Sequence, residues 1–314
     1  MNYLKDYREG EKFVGTYLCK QKQILKTKAG KTYYSLTLQD KTGTADGKIW
    51  ELNNGIANFE PMDYIHCEGM VTSFQGNLQM NISRVRISDE GEYDPADYVP
   101  CTNKDVGEMF SRILKYVASV QNKYLRKILE MYFVENKEFV DAFKKHSAAK
   151  SVHHGFMGGL LEHTLSVTDM CQYFAEHYPM IHRDLLITAA LFHDMGKIQE
   201  ISDFPMNDYT DDGQLLGHIY IGARCMENAA AQIPNFPPKL KNELVHCILA
   251  HHGKMEFGSP KVPAIMEAMA LHMADNADAK LQTLTEVFTQ AGDNMEWLGF
   301  NRMFESNLRK TSEE

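Results

Sequence analysis

Two periodicities divide the chain. Over the first ninety residues apolar side chains recur in short alternating runs: KFVGTYLC (12–19), KTYYSLTLQD (31–40), DGKIW (46–50), YIHCEGMVT (64–72) and NLQMNISRVRI (77–87). These runs are rich in β-branched and aromatic residues. Turn chemistry separates them at Ala29-Gly30, Lys41-Thr42-Gly43 and Gln75-Gly76-Asn77, so each run predicts a strand. Five strands, with a short helix expected around 52–59, are the inventory of a five-stranded OB-type β-barrel occupying residues 1–88. Residues 89–104 are acidic, turn-forming and proline-bearing, and read as a linker. From residue 105 the period changes to 3.6, and helices are predicted over 105–120, 122–135, 158–178, 183–197, 215–233, 238–253 and 263–291. Pro179, Pro237-Pro238, Pro260 and Pro263 fall in the breaks between them. The expected architecture is therefore multidomain: a β-barrel followed by an all-α domain over 105–314, ending in a polar, frayed tail from residue 307.

At 314 residues the chain has material for two cores. It contains no run of about eighteen apolar residues, and no apolar run follows its charged opening, so neither a membrane span nor a signal peptide is expected. Cys19, Cys67, Cys101, Cys171, Cys225 and Cys247 are scattered without a CxxC pair. That pattern suits reduced thiols in a cytoplasmic protein better than disulfides or a thiolate zinc site.

Net charge sharpens the division. The overall value of −9 argues against a protein that simply coats nucleic acid. Residues 1–88, however, hold 12 Lys/Arg against 9 Asp/Glu, a balance of +3, which leaves −12 for the remainder. Lys20, Lys22, Lys26, Lys28 and Lys31 cluster without an intervening acid. They are candidate phosphate contacts together with Lys48, although lysines on a hairpin also serve to keep an edge soluble. Barrels of this type bind single strands on aromatic platforms. Tyr33, Tyr34, Trp50 and Phe74 are the candidate stacking residues. Tyr33 and Tyr34 are adjacent, so only one can face outward, and the sequence leaves open which.

Twelve of the thirteen histidines lie between His146 and His272. His163, His193-Asp194, His218, His251 and Asp275 each interrupt an otherwise apolar helix. Burying any of them alone costs a few kcal/mol, so a shared partner is the economical explanation, and a metal cluster is such a partner. Imidazole and carboxylate without thiolate suit manganese, iron, cobalt or zinc better than copper or calcium. A site of that kind activates water and stabilises a phosphoryl transition state.

The order H…HD…H…H…D, with His193-Asp194 inside HDMGK, resembles the HD superfamily of metal-dependent phosphohydrolases over about 145–285. The OB-type module ahead of HHGFMGGLLEHT and HDMGK is similar to the YhaM-type 3′→5′ exoribonucleases over nearly the whole chain. The resemblance implies a first metal held by His163, His193, Asp194 and Asp275, with Asp194 bridging to a second held by His218 and His251. Two divalent ions are expected, manganese first, with iron, cobalt or zinc as alternatives. Lys197 is expected to point at the scissile phosphate, and Asp194 and Lys197 to stabilise the developing charge. His154 and His252 are candidates for substrate phosphate or for contacts around the ligands. His153, His177, His182, His246 and His272 read as ordinary, and Asp278 reads as an exposed helix face in preference to a supporting role.

The leading expectation is a 3′→5′ exonuclease on single-stranded RNA, with single-stranded DNA as a further substrate. Its polarity comes from the resemblance alone. The alternatives are an HD-type nucleotide or cyclic-dinucleotide phosphohydrolase, redox chemistry at a di-iron site, and a nucleic-acid-binding protein whose HD site is structural. An acidic body with many apolar helices is also compatible with a homo-oligomer.

Overall fold

The computed structural model describes residues 3–74, 77–150 and 154–312. They form two compact units, one ending at Cys101 and one beginning at Thr102, with Phe204–Met206 grouped with the first. Of the positions named above, Gln75, Gly76 and His153 lie outside the described residues.

The first unit is a closed barrel in the order β1-β2-β3-β5-β4, built from β1 (Lys12–Lys26), β2 (Thr32–Asp40), β3 (Gly43–Ile49), β4 (Tyr64–Phe74) and β5 (Asn77–Ile87). All pairings are antiparallel except β3 with β5, which gives the OB-type topology. Alternation sends Tyr17, Leu36, Leu38, Ile49, Ile65, Val71 and Met80 into the core. A register shift between Cys19 and Gln21 lets the long β1 serve two neighbours, β4 along its first half and β2 along its second. A second shift lies between Glu68 and Gly69, where β5 comes so near that a Cβ on Gly69 would stand 2.0 Å from the Asn81 carbonyl oxygen.

The helix expected over 52–59 is absent. Asn53 instead accepts a hydrogen bond from the Gly55 N–H at 2.8 Å, the self-capped turn that Asn-Asn-Gly favours. Ile56 then bridges to Val85, and Phe59 enters the core. The expected linker is packed rather than free as far as Cys101. Tyr93 stacks on Tyr64 at 4.1 Å, and Asp97 accepts bonds from the Tyr3 hydroxyl and the Lys41 ammonium. The acids of this segment thus fasten it to the barrel.

The second unit contains α1 (Val106–Ser119), α2 (Lys123–Phe133), α3 (Lys137–Lys145), α4 (Gly159–His177), α5 (Arg183–Phe192), α6 (Lys197–Glu200), α7 (Asp211–Gln232), α8 (Pro238–Ala250) and α9 (Met266–Gln290). Asn136 caps α3, a helix the pattern did not predict because Phe139, Val140 and Phe143 are too few to set a period. The 183–197 helix is interrupted after Phe192, and α6 follows as a separate short turn. Among the described residues the C-terminal part is not wholly helical, since β6 (Phe300–Asn301) pairs with β7 (Ser306–Asn307). No helix of the described residues is long and apolar enough to cross a membrane.

Helix α5 is buried along its whole inner length, from Leu185 to Phe192, and its C-terminus delivers His193 and Asp194 into the middle of the unit. An aromatic cluster of Phe133, Phe139, Phe143 and Phe192 holds that end in place, with ring centroids 5.3–5.7 Å apart. Phe133→Ala is expected to destabilise the helical unit by about 3–5 kcal/mol, measured as a shifted midpoint of its urea transition while the barrel transition stays in place.

Candidate metal centre and nucleic-acid face

Five helices bring six polar groups to a common point. His163 comes from α4, His193 and Asp194 from the end of α5, His218 from α7, His251 from the end of α8, and Asp275 from α9. The two carboxylate oxygens of Asp194 divide these groups. Its Oδ2 lies 3.3 Å from His163 Nε2 and 3.4 Å from His193 Nε2, and Asp275 Oδ1 is 3.2 Å from the same His163 nitrogen. Its Oδ1 lies 3.5 Å from His218 Nε2 and 3.6 Å from His251 Nε2. His252 clusters with His218 and His251.

The far side of each ring is held. His193 Nδ1 and His251 Nδ1 donate to the carbonyls of Ala190 and Ile248, at 2.8 and 2.7 Å. His163 Nδ1 bonds Asp278 at 2.6 Å, and His218 Nδ1 bonds Glu200 at 2.9 Å. Each Nε2 is thereby aimed inward, the ring orientation that metal-ligating histidines adopt. Asp194 Oδ1, His218 Nε2 and His251 Nε2 are buried with no hydrogen-bond partner among the described residues. An unsatisfied buried polar atom costs about 1–3 kcal/mol, so three converging acceptors are a poor apo core and a good fit to a divalent cation.

Electrostatics agree with this division. Burial pushes against an ionised Asp194, but Lys197 and His193 with the hydrogen bond from His163 hold its carboxyl well below the usual range. Burial also opposes a charged His163, and Asp194, Asp275 and Asp278 overcome it and raise that imidazole well above its ordinary value. On the other side burial lowers His251, and burial with the neighbouring His251 takes His252 down to about 4. Those two rings are neutral near pH 7, the form that binds a metal.

Backbone geometry brings the two halves together. Gly196, in the turn before α6, lies against α7 so closely that a Cβ there would sit 2.1 Å from the His218 carbonyl oxygen. One residue before His218, Gly217 breaks α7 with φ 73° and ψ 152°, a conformation reserved for glycine. The kink frees the His218 N–H, which donates to Glu200 Oε1 at 2.9 Å, the same oxygen that holds the ring.

Asp278 corrects the sequence expectation. It is buried, and it accepts from His154 Nε2 at 3.0 Å and from the Ser166 hydroxyl as well as from His163. One helical turn past Asp275, it shares that residue's inward face. His154 thus supports Asp278 in place of facing substrate. Glu200 was missed, because its helix, α6, is a single turn with no periodicity to read. Lys197 Nζ is 2.6 Å from Asp194 Oδ2 and lines a cleft of about 290 Å³ with His218, His252 and Asp275. A carboxylate cannot stabilise a developing negative charge, so of the expected pair only Lys197 suits that task. Among the histidines read as ordinary, His182 caps α5, His246 accepts from the Ala264 N–H and His177 stacks on Tyr173. His272 lines the cleft and bonds the His251 carbonyl.

On the barrel, the structure separates the two tyrosines. Tyr34 packs edge-on against the core residue Phe59, while Tyr33 stacks on the half-exposed Trp50 with centroids 4.6 Å apart. Trp50 Nε1 donates to Asn81 at 3.0 Å, and Lys48 lies beside them, bonded to Ser35 and Asp46. Phe74 is exposed on β4. Lys20, Lys26, Lys28 and Lys31 are exposed along β1 and the following turn, with Lys31 paired to Glu51. Lys22 is turned inward, over the rings of Tyr34 and Phe59 and onto the Phe59 carbonyl, so it braces the barrel.

An OB-type barrel followed by a helical unit with this histidine–aspartate centre defines a phosphohydrolase of the HD class, and residues 160–280 match the family model described as "HD domain". The chain is 32% identical to the 3′-5′ exoribonuclease YhaM of Bacillus subtilis (strain 168), with 81% of each chain covered. It is also 32% identical to the YhaM of Listeria innocua, with 90% of each covered. It belongs to the YhaM family. The second OB-fold domain of replication protein A from Methanococcus maripaludis matches 29% of this chain and 98% of its own at 20% identity, with a TM-score of 0.24, a likeness too slight to bear on function.

Asp278→Ala removes the acceptor behind His163. Divalent-metal affinity is expected to fall about 10–100-fold, read by titration calorimetry with manganese.

Proposed function

We propose that the chain is a metal-dependent 3′→5′ exoribonuclease, in which the barrel captures single-stranded RNA and the helical unit hydrolyses its terminal phosphodiester. The observation that carries this reading is the shared Asp194 carboxylate, with one oxygen among His163, His193 and Asp275 and the other between His218 and His251. That division supports two divalent ions, and the oxygen and nitrogen donors suit manganese, with iron, cobalt or zinc as alternatives. When bound, such ions lower the pKa of water and neutralise charge on the phosphate.

The chain's own groups do the rest. Asp278 and Glu200 fix the orientation of His163 and His218. Lys197, kept protonated because Asp194 outweighs the cost of its burial, supplies a positive charge to the cleft where phosphate charge increases. On the barrel, Tyr33 and Trp50 offer a platform for bases, Phe74 an exposed ring, and Lys20, Lys26, Lys28, Lys31 and Lys48 offer phosphate contacts. The six free thiols support a cytoplasmic setting. Single-stranded DNA is a further candidate substrate, since base stacking and phosphate contacts are made by either sugar.

Purified protein with manganese is expected to shorten 5′-labelled single-stranded RNA from its 3′ end, and both a chelator and Asp194→Ala should abolish the ladder. Intact RNA, with phosphate released from a nucleotide panel, would move the protein to the nucleotide-hydrolase reading. Replacing Lys20, Lys26, Lys28 and Lys31 by alanine is expected to weaken RNA binding and flatten its salt dependence. Hydrolysis of a small phosphodiester should be unchanged. Loss of both activities together would sink the division of labour.

A further inference from the structure

The cleft beside the metal centre has a wall that metal chemistry does not explain. Tyr209 and Phe257 line it together with Lys197, His218 and His252, and they remain 46% and 56% exposed. Each has a lysine ammonium over its ring, Lys150 at 5.8 Å from the Tyr209 centroid and Lys254 at 5.3 Å from that of Phe257. Both rings are fixed to the centre through backbone. The Phe257 carbonyl accepts from His252 Nδ1 at 2.8 Å. Tyr209 bridges to Ile201, directly after α6, and the next residue's N–H bonds the Glu200 carbonyl at 2.9 Å. The positions of the two aromatic side chains are thus tied to the groups that hold His218 and its neighbours. Ala148, Ala149 and Ala279 leave space between these rings and the polar lining of Asp275 and Asn276, and the cleft's volume of about 290 Å³ is at the lower end for a small-molecule site. A cleft of that size matches a mononucleotide-sized group.

We propose that Tyr209 and Phe257 are a substrate-positioning pair that holds the terminal nucleobase of the substrate by stacking, beside the phosphate to be hydrolysed. The inference rests on the exoribonuclease reading for its substrate. The chemistry of the pair is independent of that reading: exposed π-faces next to a cationic phosphate site suit an unstacked base, whatever its identity. The subsite is therefore sequence-tolerant, and it requires a single-stranded end because a paired base cannot enter it.

The test uses the full chain with manganese and two probes, AMP and ribose 5-phosphate, which differ by the base alone. Calorimetry is expected to show AMP binding about ten-fold tighter to the wild type, the scale of one stacked base. The double variant Y209A/F257A should bind the two probes within about twofold of each other, with an unchanged melting temperature because both rings are exposed. Tyr209→Phe should retain the preference, since it keeps the ring. In parallel, single-stranded RNA ending in a 3′ abasic residue should be shortened more slowly than its base-bearing counterpart by the wild type, and equally by the double variant. Equal binding of AMP and ribose 5-phosphate by the wild type, or a preference that survives in Y209A/F257A, overturns the stacking subsite. A wild type that prefers AMP yet leaves RNA intact overturns the exoribonuclease reading and upholds the stacking subsite.

Discussion

One buried carboxylate organises the helical unit. Asp194 would be a liability in an apolar interior, and five helices are arranged so that it is not. Two rings approach one of its oxygens, two approach the other, and Lys197 lies against it. Helix α5 is buried so that its end can place this residue, and the aromatic cluster behind Phe192 fixes the end of that helix. Packing and chemistry are one problem here. A movement of α5 would displace His193 and Asp194, and with Asp194 the contacts of His163, His218 and His251.

The outer ring of contacts follows from the same constraint. Imidazole has two nitrogens, and a ligand must commit one of them elsewhere to present the other. Two rings use backbone carbonyls at their own helix ends, and two use carboxylates from other helices. The carboxylates cost the unit two further buried charges. Asp278 is held below its ordinary range because its hydrogen bonds from His154 and His163 outweigh burial, and Glu200 likewise by His218. The acidity of the helical unit, visible in its net charge, is thus partly internal and not only a solvated surface.

Much of this was legible in the sequence. The strands, most of the helices and the convergence of His163, His193, Asp194, His218, His251 and Asp275 follow from periodicity and from polar residues in apolar helices. What escaped is equally physical. Asp278 was assigned to the exposed face because period alone does not say how wide a buried stripe is. Glu200 stands in a helix of one turn, too short to have a period. Helix α3 depends on its cap and two or three aromatics, and the 52–59 turn on a hydrogen bond from Asn53, so neither leaves a pattern. Which of Tyr33 and Tyr34 faces solvent was decided by Phe59, a residue distant in sequence.

The contact between Gly196 and His218 carries a last consequence. Where other parts of the centre meet through side chains, which can change rotamer, here two stretches of main chain touch with only a hydrogen atom between them. Main chain packed on main chain has no adjustable length. The backbone span between the His193 side and the His218 side is therefore set, and any residue larger than glycine at 196 would have to push one stretch away from the other. Whatever meets the two sides of the centre meets a backbone separation set by that contact, with the side chains alone left to adjust.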